Sequence, residues 1–367
     1  MKKKQILIAL PNDVLGGAEQ VLKMIAKYWL EQHACVHIFF LKKRSTGAWE
    51  SLDGDLNLHY TNAASEKKGL IQFFWNLRKF KSITFDYTFT SHVHLNGFFG
   101  LLRKCNVVRT EFFVARESTS IFERYSGLKK AYFSAYYYMG YSAIDLLICQ
   151  TEGMKCSLVE ALPFIEKKVD VKVIHNPVDL KAIQSAEQSN DLVQSFGKYF
   201  VAAGRLIPEK GFDLLIRAFA EIKTIDRNYK LVILGDGPLK GRLEDLISEY
   251  RLSDSVVLAG FVKNVFPFFR GAELCIVSSR IEGFPNVLLQ MMSQNKKVIS
   301  TNCAHGIEDI PGLFMAEKEN VTSLTNAISL ALKTDGTNNR MIFDEELKLR
   351  SIDSFINSVL NYVNKKQ

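Results

Sequence analysis

The nonapeptide Glu282-Gly283-Phe284-Pro285-Asn286-Val287-Leu288-Leu289-Gln290 stands between two apolar runs, Leu274-Cys275-Ile276-Val277 and Val298-Ile299-Ser300-Thr301. Runs of four such residues, bounded by turn formers, read as strands buried on both faces. The segment between them then reads as a strand-to-loop-to-helix unit of a parallel sheet. Pro285 suits a first helical turn, where its missing N–H costs nothing. The free amides of Asn286, Val287 and Leu288 would leave the helix N-terminus as an anion site. Glu282 precedes that turn and is placed to accept hydrogen bonds from hydroxyls, and Gln290 lies eight positions on. A solvated acid before an ordinary capped helix is the plain alternative for this segment alone.

Outward from this unit, short β-rich runs alternate with helical patterns, the mark of parallel α/β sheets. Strands are predicted at Ile6–Leu10, Val36–Leu41, Leu56–Tyr60, Tyr87–Ser91, Phe112–Ala115, Asp145–Cys149 and Val171–Ile174. A second set is predicted at Phe200–Ala203, Lys230–Leu234, Ser255–Leu258, Leu274–Val277 and Val298–Thr301. The polar stretch after Asn176-Pro177, with Ser185, Gln188, Ser189 and Asn190, reads as the passage between domains. The expected fold is therefore α/β, two doubly wound Rossmann-like domains facing a cleft, at 1–177 and 178–345. A terminal helical segment, 346–367, carries the stripe Ile352, Phe355, Ile356, Val359, Leu360 and Val363. A length of 367 residues suits two domains.

Composition narrows the classes. The opening apolar run, Ile6–Leu10, is shorter than the ~7–15 residues of a secretory core. No stretch reaches the ~18 apolar residues of a membrane span. The six cysteines form no C-x-x-C pair, which argues against a zinc or disulfide framework and for reduced, cytoplasmic thiols. Residues 1–177 hold 24 Lys and Arg against 16 Asp and Glu, whereas residues 178–367 hold 23 of each. The excess positive charge thus lies wholly in the first half, which suits an anionic partner. Aromatic and basic residues mix in Ile71–Lys81 and Phe122–Tyr141, either as interfacial helices or as core helices with a basic outer face.

Three further segments follow strands. Gly204-Arg205-Leu206-Ile207-Pro208-Glu209-Lys210-Gly211 offers Arg205 and Lys210 to a diphosphate or, equally in kind, is a solvated basic turn. Gly235-Asp236-Gly237-Pro238 is turn chemistry whatever the function. Gly260-Phe261-Val262-Lys263-Asn264 completes the series. In the first half, His92 and His94 stand at a strand end, on one face if the strand persists. Arg116 and Glu117 occupy a second strand end and are candidates for acceptor contact. Structural roles remain open for all four.

In this order the motifs resemble the family-4 type of retaining GT-B glycosyltransferases. The first half agrees through Leu15-Gly16-Gly17-Ala18-Glu19 and Asn176-Pro177-Val178-Asp179. The resemblance is strong in the second half and thin between residues 45 and 140. It implies that Arg205 and Lys210 hold the donor diphosphate, that Glu282 contacts the donor sugar, and that Gly283, Phe284, Pro285, Asn286 and Val287 bind sugar and phosphate. Gly235, Val262 and Asn264 belong to the nucleotide side, and Gly16 and Gly17 let the backbone approach the diphosphate. Gln290 stands where the family has a ribose-binding glutamate. The resemblance also implies a terminal helix returning to the first domain, and a histidine of the first domain, His92 or His94, near the reacting sugar.

The expected activity is metal-independent transfer of a hexose or N-acetylhexosamine from a nucleotide diphosphate sugar, UDP before GDP. The expected acceptor is a glycan, lipid-linked through polyprenyl diphosphate, in bacterial polysaccharide assembly at the inner face of the cell membrane. No cofactor is expected, and no Asp-x-Asp follows a strand. Gln290 keeps a non-catalytic nucleotide-sugar-binding subunit as the alternative. The adjacent glycines of Gly16-Gly17 are not the G-x-G-x-x-G of a dinucleotide oxidoreductase. Nucleic-acid binding rests on charge alone, with no motif.

Overall fold

The computed structural model describes residues 3–44, 47–77, 80–184, 195–225 and 227–365. The stretch 185–190 of the expected interdomain passage, and Arg78 and Lys79 of the aromatic-basic stretch, lie outside the described residues. The chain divides into two units, Met1–Pro177 with Ile352–Gln367, and Val178–Ser351.

The first unit is built on β1 (Gln5–Leu10), β2 (Cys35–Phe40), β3 (Leu56–Tyr60), β4 (Thr84–Thr90), β5 (Arg109–Arg116), β6 (Leu146–Cys149) and β7 (Asp170–Val173). All pair in parallel in the order β3-β2-β1-β4-β5-β6-β7. Side-chain alternation sends Ile6, Ile8 and Leu10 to one face and Leu7 and Ala9 to the other, each against its own helical layer. The last helix, Ile352–Asn364, seals the first of these faces through Phe355, Ile356, Val359 and Val363. It begins at Ile352 rather than 346, because residues up to Leu349 close the preceding helix, Thr337–Leu349.

The second unit holds β8 (Tyr199–Ala203), β9 (Lys230–Leu234), β10 (Val256–Gly260), β11 (Leu274–Val277), β12 (Val298–Thr301) and β13 (Phe314–Ala316). Their order is β10-β9-β8-β11-β12-β13, again parallel. The three-residue β13 has no apolar run long enough to mark it in sequence. In each unit the winding reverses once, between β1 and β4 and between β8 and β11. Such reversals leave a crevice at the carboxyl ends of the strands, the ordinary place for a ligand.

Candidate functional site

In the second unit, the loops that follow β8 and β11 flank the reversal point. The first carries Arg205 and a single 3₁₀ turn, Pro208–Lys210, ended by Gly211 at φ +62°. Any side chain at Gly211 would drive its Cβ to 2.2 Å from the Ser278 carbonyl oxygen. The two loops are therefore pressed together, and several bonds fix them. Ser278 Oγ donates to the Lys210 carbonyl at 3.0 Å. The Arg280 amide donates to the Glu209 carbonyl at 2.8 Å, and its guanidinium grips Asp213 at 2.7 and 2.6 Å.

This clamp brings Lys210 and Glu282 together. Lys210 Nζ lies 2.5 Å from Glu282 Oε1, and Ser279 Oγ donates to the same oxygen at 3.0 Å. The Glu282 amide is held by the Cys303 carbonyl at 2.8 Å. Both side chains keep roughly a fifth of their surface in solvent, 19% and 18%. The lysine and the acid, expected at different parts of a ligand, thus neutralise each other. Arg205 projects from the same loop into solvent. Arg280 and Asp213 carried no recognisable motif, and only the fold reveals their clamp.

The neighbouring loops are held by backbone contact. Gly235, at φ +141°, donates its N–H to the Gly260 carbonyl at 2.7 Å, and a Cβ there would lie 1.9 Å from the Gly204 carbonyl oxygen. No side chain fits, so glycine is a requirement of packing as well as of φ. Val262 and Asn264 are half-buried beside exposed Phe261, and Asn264 Oδ1 accepts the Phe266 N–H at 3.2 Å. The helix after Glu282 runs Asn286–Gln294 with Pro285 as its cap rather than its first helical residue. Gly283, Phe284 and Pro285 are buried, and Asn286, Val287 and Gln290 are half-buried. Among the described residues no group hydrogen-bonds the Gln290 side chain, so its amide is available to a ligand.

In the first unit the reversal point also holds an acid–base pair. Gly16 caps the helix Gly17–Glu31, and its N–H donates to Glu19 Oε2 at 3.1 Å. The other oxygen, Oε1, lies 3.2 Å from His92 Nε2. Burial pushes the Glu19 carboxyl up, but the bond and charge of His92 with the Gly16 and Glu19 amides outweigh it and hold the group below its ordinary range. Glu19 was quoted in the glycine-rich motif without a role of its own.

His92 and His94 do not alternate along a strand. β4 stops at Thr90, His92 caps the helix Val93–Lys104, and His94 lies in its first turn. His92 Nδ1 and His94 Nε2 are buried with no partner among the described residues. Burial, with the neighbouring His92, pushes His94 down to about 3.

Arg116 and Glu117 turn inward. Arg116 is 3% exposed and donates to Ser91 Oγ at 2.9 Å and to Asn176 Oδ1. Glu117 is 2% exposed and accepts the hydroxyls of Tyr141 at 2.6 Å and Tyr137 at 3.0 Å. Gln150 links the two ends, donating to the Glu117 carbonyl at 2.8 Å and accepting from Asn176 at 3.0 Å. Burial drives the Glu117 carboxyl up to about 7 against those tyrosine bonds, and drives Arg116 down to about 10. Their side chains brace the strand ends and present nothing to solvent. Asn176, noted only as part of a signature, is a member of this brace.

Two parallel sheets of Rossmann winding, the second with a cationic and acidic loop pair at its reversal point, make a GT-B fold. Solved structures agree on the fold. Anabaena HepE in complex with UDP-glucose matches at TM-score 0.80 and 17% identity, over 98% of this chain and 99% of that one. A glycosyltransferase of Rickettsia africae matches at TM-score 0.77 and 18% identity, over 99% and 98%. The family described as Glycosyltransferase Family 4 matches residues 15–182, and that described as Glycosyl transferases group 1 matches residues 197–334. The chain belongs to the family-4 type of GT-B glycosyltransferases.

Curated relatives include an uncharacterized glycosyltransferase of Methanocaldococcus jannaschii, 35% identical over 50% of this chain and 46% of the relative. Another is the N-acetylgalactosamine-N,N'-diacetylbacillosaminyl-diphospho-undecaprenol 4-alpha-N-acetylgalactosaminyltransferase of Campylobacter jejuni, 31% identical over 53% of each. A lipopolysaccharide core biosynthesis glycosyltransferase of Rhizobium meliloti is 26% identical over 48% of each. The chain spans about half the length of the curated relatives it matches.

Proposed function

We propose that the protein is a retaining glycosyltransferase that moves a hexose or N-acetylhexosamine from a nucleotide diphosphate sugar to a lipid-linked glycan in bacterial surface-glycan assembly. The observation that carries this reading is the clamped pair of loops at the β8–β11 reversal point. There Lys210 and Glu282 meet, Arg205 stands exposed on the same loop as Lys210, and Gln290 follows half-buried on the helix after Glu282. UDP is the nucleotide we favour, on the strength of the UDP-glucose complex of HepE. The lipid-linked acceptor follows the diphospho-undecaprenol substrate in the name of the Campylobacter relative.

Departure of a nucleoside diphosphate builds negative charge, and stabilising that charge is the largest single term available to such a site. Arg205 and Lys210 supply it; the Leu288 amide, expected to be free at the helix start, is bonded to the Pro285 carbonyl at 2.9 Å and takes no part. A bound diphosphate competes with Glu282 for Lys210, which frees the carboxylate to accept sugar hydroxyls. Gln290 takes the ribose. In a retaining reaction of this kind the departing phosphate oxygen takes the acceptor's proton, so no strong side-chain base is called for. The two cations do the work of a divalent ion, and the reaction proceeds without one. We assign acceptor recognition to the first unit and place the protein peripherally on the cytoplasmic face of an anionic membrane. We propose no nucleic-acid partner.

The test is a screen of UDP- and GDP-sugars for thermal stabilisation and for transfer or hydrolysis, with and without EDTA. A cognate donor at a hundredfold excess over its Kd stabilises the fold by about 2.7 kcal/mol. Activity that survives EDTA is the expected result. Strict dependence on added metal would overturn the charge-stabilisation scheme. Donor binding with no transfer to any lipid-linked acceptor would point to a non-catalytic binding subunit.

A further inference from the structure

The helix Gly127–Gly140 of the first unit buries Tyr137 and Gly140 and turns its opposite side to solvent. That outer side is apolar. Leu128, Ala131, Tyr132, Ala135 and Tyr138 follow the i, i+3, i+4, i+7 spacing of one helix face. Leu128 is 92% exposed, Tyr138 65% and Tyr132 42%. The helix contains no acid. An outward helix face of a monomeric soluble protein is ordinarily polar, so a continuous apolar stripe there marks a contact surface. It departs from one of the two sequence expectations for this region, the core helix with a basic outer face, since the outer face is apolar.

Both ends of the stripe carry cations. At its start, Lys129 Nζ stands 4.1 Å from the Tyr125 ring centroid, and Lys130 Nζ 5.3 Å from that of Phe122. At its end, Tyr138 stacks on Phe164 at 4.6 Å, and Lys104 Nζ donates to the Met139 carbonyl at 3.0 Å. These contacts lead directly into a cavity of about 500 Å³ lined by Arg103, Lys104, Lys167 and Lys168. Three acids share its wall, and each has a partner. Asp145 bonds Arg103 at 2.5 Å, Glu166 pairs with Lys155 at 3.7 Å, and Asp170 accepts the Tyr362 hydroxyl. Lys104, Lys167 and Lys168 are exposed. The cavity lies at the amino ends of β6 and β7, the sheet edge opposite the Glu19–His92 pair.

We propose that this face docks on an anionic phospholipid bilayer. Leu128, Tyr132 and Tyr138 enter the boundary between headgroups and acyl chains, and the exposed Lys167 and Lys168 of the cavity wall take a lipid phosphate. Tyrosines favour that boundary, and lysines beside an apolar helix face add attraction to acidic lipid. A second protein would satisfy the stripe but would have no need of exposed lysines at both of its ends, Lys129 and Lys130 at the start and Lys104, Lys167 and Lys168 at the finish. The inference rests on the membrane-associated reading above for its purpose, yet docking is measured with no donor present. A chain that docks but transfers nothing would sink only the enzymatic reading.

The experiment is co-sedimentation of the full chain with vesicles of phosphatidylglycerol and phosphatidylcholine, compared with phosphatidylcholine alone. Binding to the acidic vesicles is expected, weakened at least ~10-fold by Leu128→Ser with Tyr138→Ser. Lys167→Ala with Lys168→Ala should weaken it by about 10-fold as well, since each surface lysine contributes appreciably near acidic lipid. All four substitutions fall on exposed residues, and unchanged melting temperatures confirm intact folds. Equal binding to neutral vesicles, or acidic-vesicle binding unaltered in both double variants, would overturn the proposal. So would a dimer in light scattering that the Leu128 and Tyr138 substitutions dissolve, which would make a second copy the occupant.

Discussion

Each unit sets an acid against a base where its sheet reverses, and the two pairs differ in kind. Lys210 and Glu282 are joined at 2.5 Å as a lysine–carboxylate ion pair. Glu19 and His92 meet at 3.2 Å, and this pair holds charge on both sides only when the imidazole is protonated. The surroundings differ in the same sense. Around the first pair, loops are locked by glycine backbone contacts, and among the described residues no group hydrogen-bonds the Arg205 or Gln290 side chain. Around the second, the nearby strand-end charges Arg116 and Glu117 are held by a buried network of Ser91, Asn176, Gln150, Tyr137 and Tyr141, with Arg116 Nε left without a partner among the described residues. Arg116 and Glu117 thus serve the fold at the end of β5, one strand away from the reversal, while Arg205, at the end of β8, stays exposed. What decides is whether neighbouring helices supply buried partners.

The largest expected effect separates the two roles. Lys210→Ala should cut transfer about 10²–10³-fold, the usual cost of removing one group that stabilises developing charge. Its melting temperature should fall only modestly, because Glu282 keeps the Ser279 hydroxyl and some access to solvent when the lysine is removed. A variant that unfolds instead, with its remaining folded fraction fully active, would erase the contrast. Tyr141→Phe is the converse. It strips Glu117 and Asn96 of one buried partner and should cost about 1.5–3 kcal/mol in denaturant unfolding, with donor affinity unchanged.

Acid sharpens the comparison further, since six of the seven histidines lie in the first unit. His94 is held down to about 3 and His59 down to about 4, both by burial first and a neighbouring histidine second. The unfolded chain takes protons on these rings below about 6.5 while the fold does not. Their stabilising contribution is therefore complete above that pH and fades as pH falls toward 4 and 3. Each ring contributes a slope of about 1.4 kcal/mol per pH unit in that window. Glu117, raised to about 7, acts with the opposite sign between its ordinary value and 7. Thermal unfolding from pH 7 to 5 should show net loss, shallower in His94→Gln, and an identical slope in that variant would remove His94 from the account. The smallest effect is expected at Gln290→Glu, which should leave donor affinity equal or a few-fold tighter in calorimetry, because an ionised acceptor strengthens a hydroxyl bond.

Much of this architecture was legible in sequence. Twelve of the thirteen strands stand out as β-branched or aromatic runs, and the strand-end position of Arg205, Lys210 and Glu282 follows from them. Pairing across the chain was not legible. Nothing local tells that Lys210 meets Glu282 seventy-two residues away, or that Arg280 reaches Asp213 to clamp their loops. His92 and His94 were placed by strand alternation, but β4 ends two residues earlier and helix geometry takes over. Arg116 and Glu117 read as strand-end candidates for acceptor contact because their partners, Asn176, Tyr137 and Tyr141, share no motif with them.

The central claim is that the β8–β11 loops bind a nucleoside diphosphate through Arg205 and Lys210. Calorimetric titration of UDP into the wild-type chain and into Arg205→Ala tests it most directly. The account predicts saturable binding to the wild type and at least ~10-fold weaker binding to the variant, a loss typical of one charge-assisted phosphate contact. Equal affinity in the two proteins would contradict it.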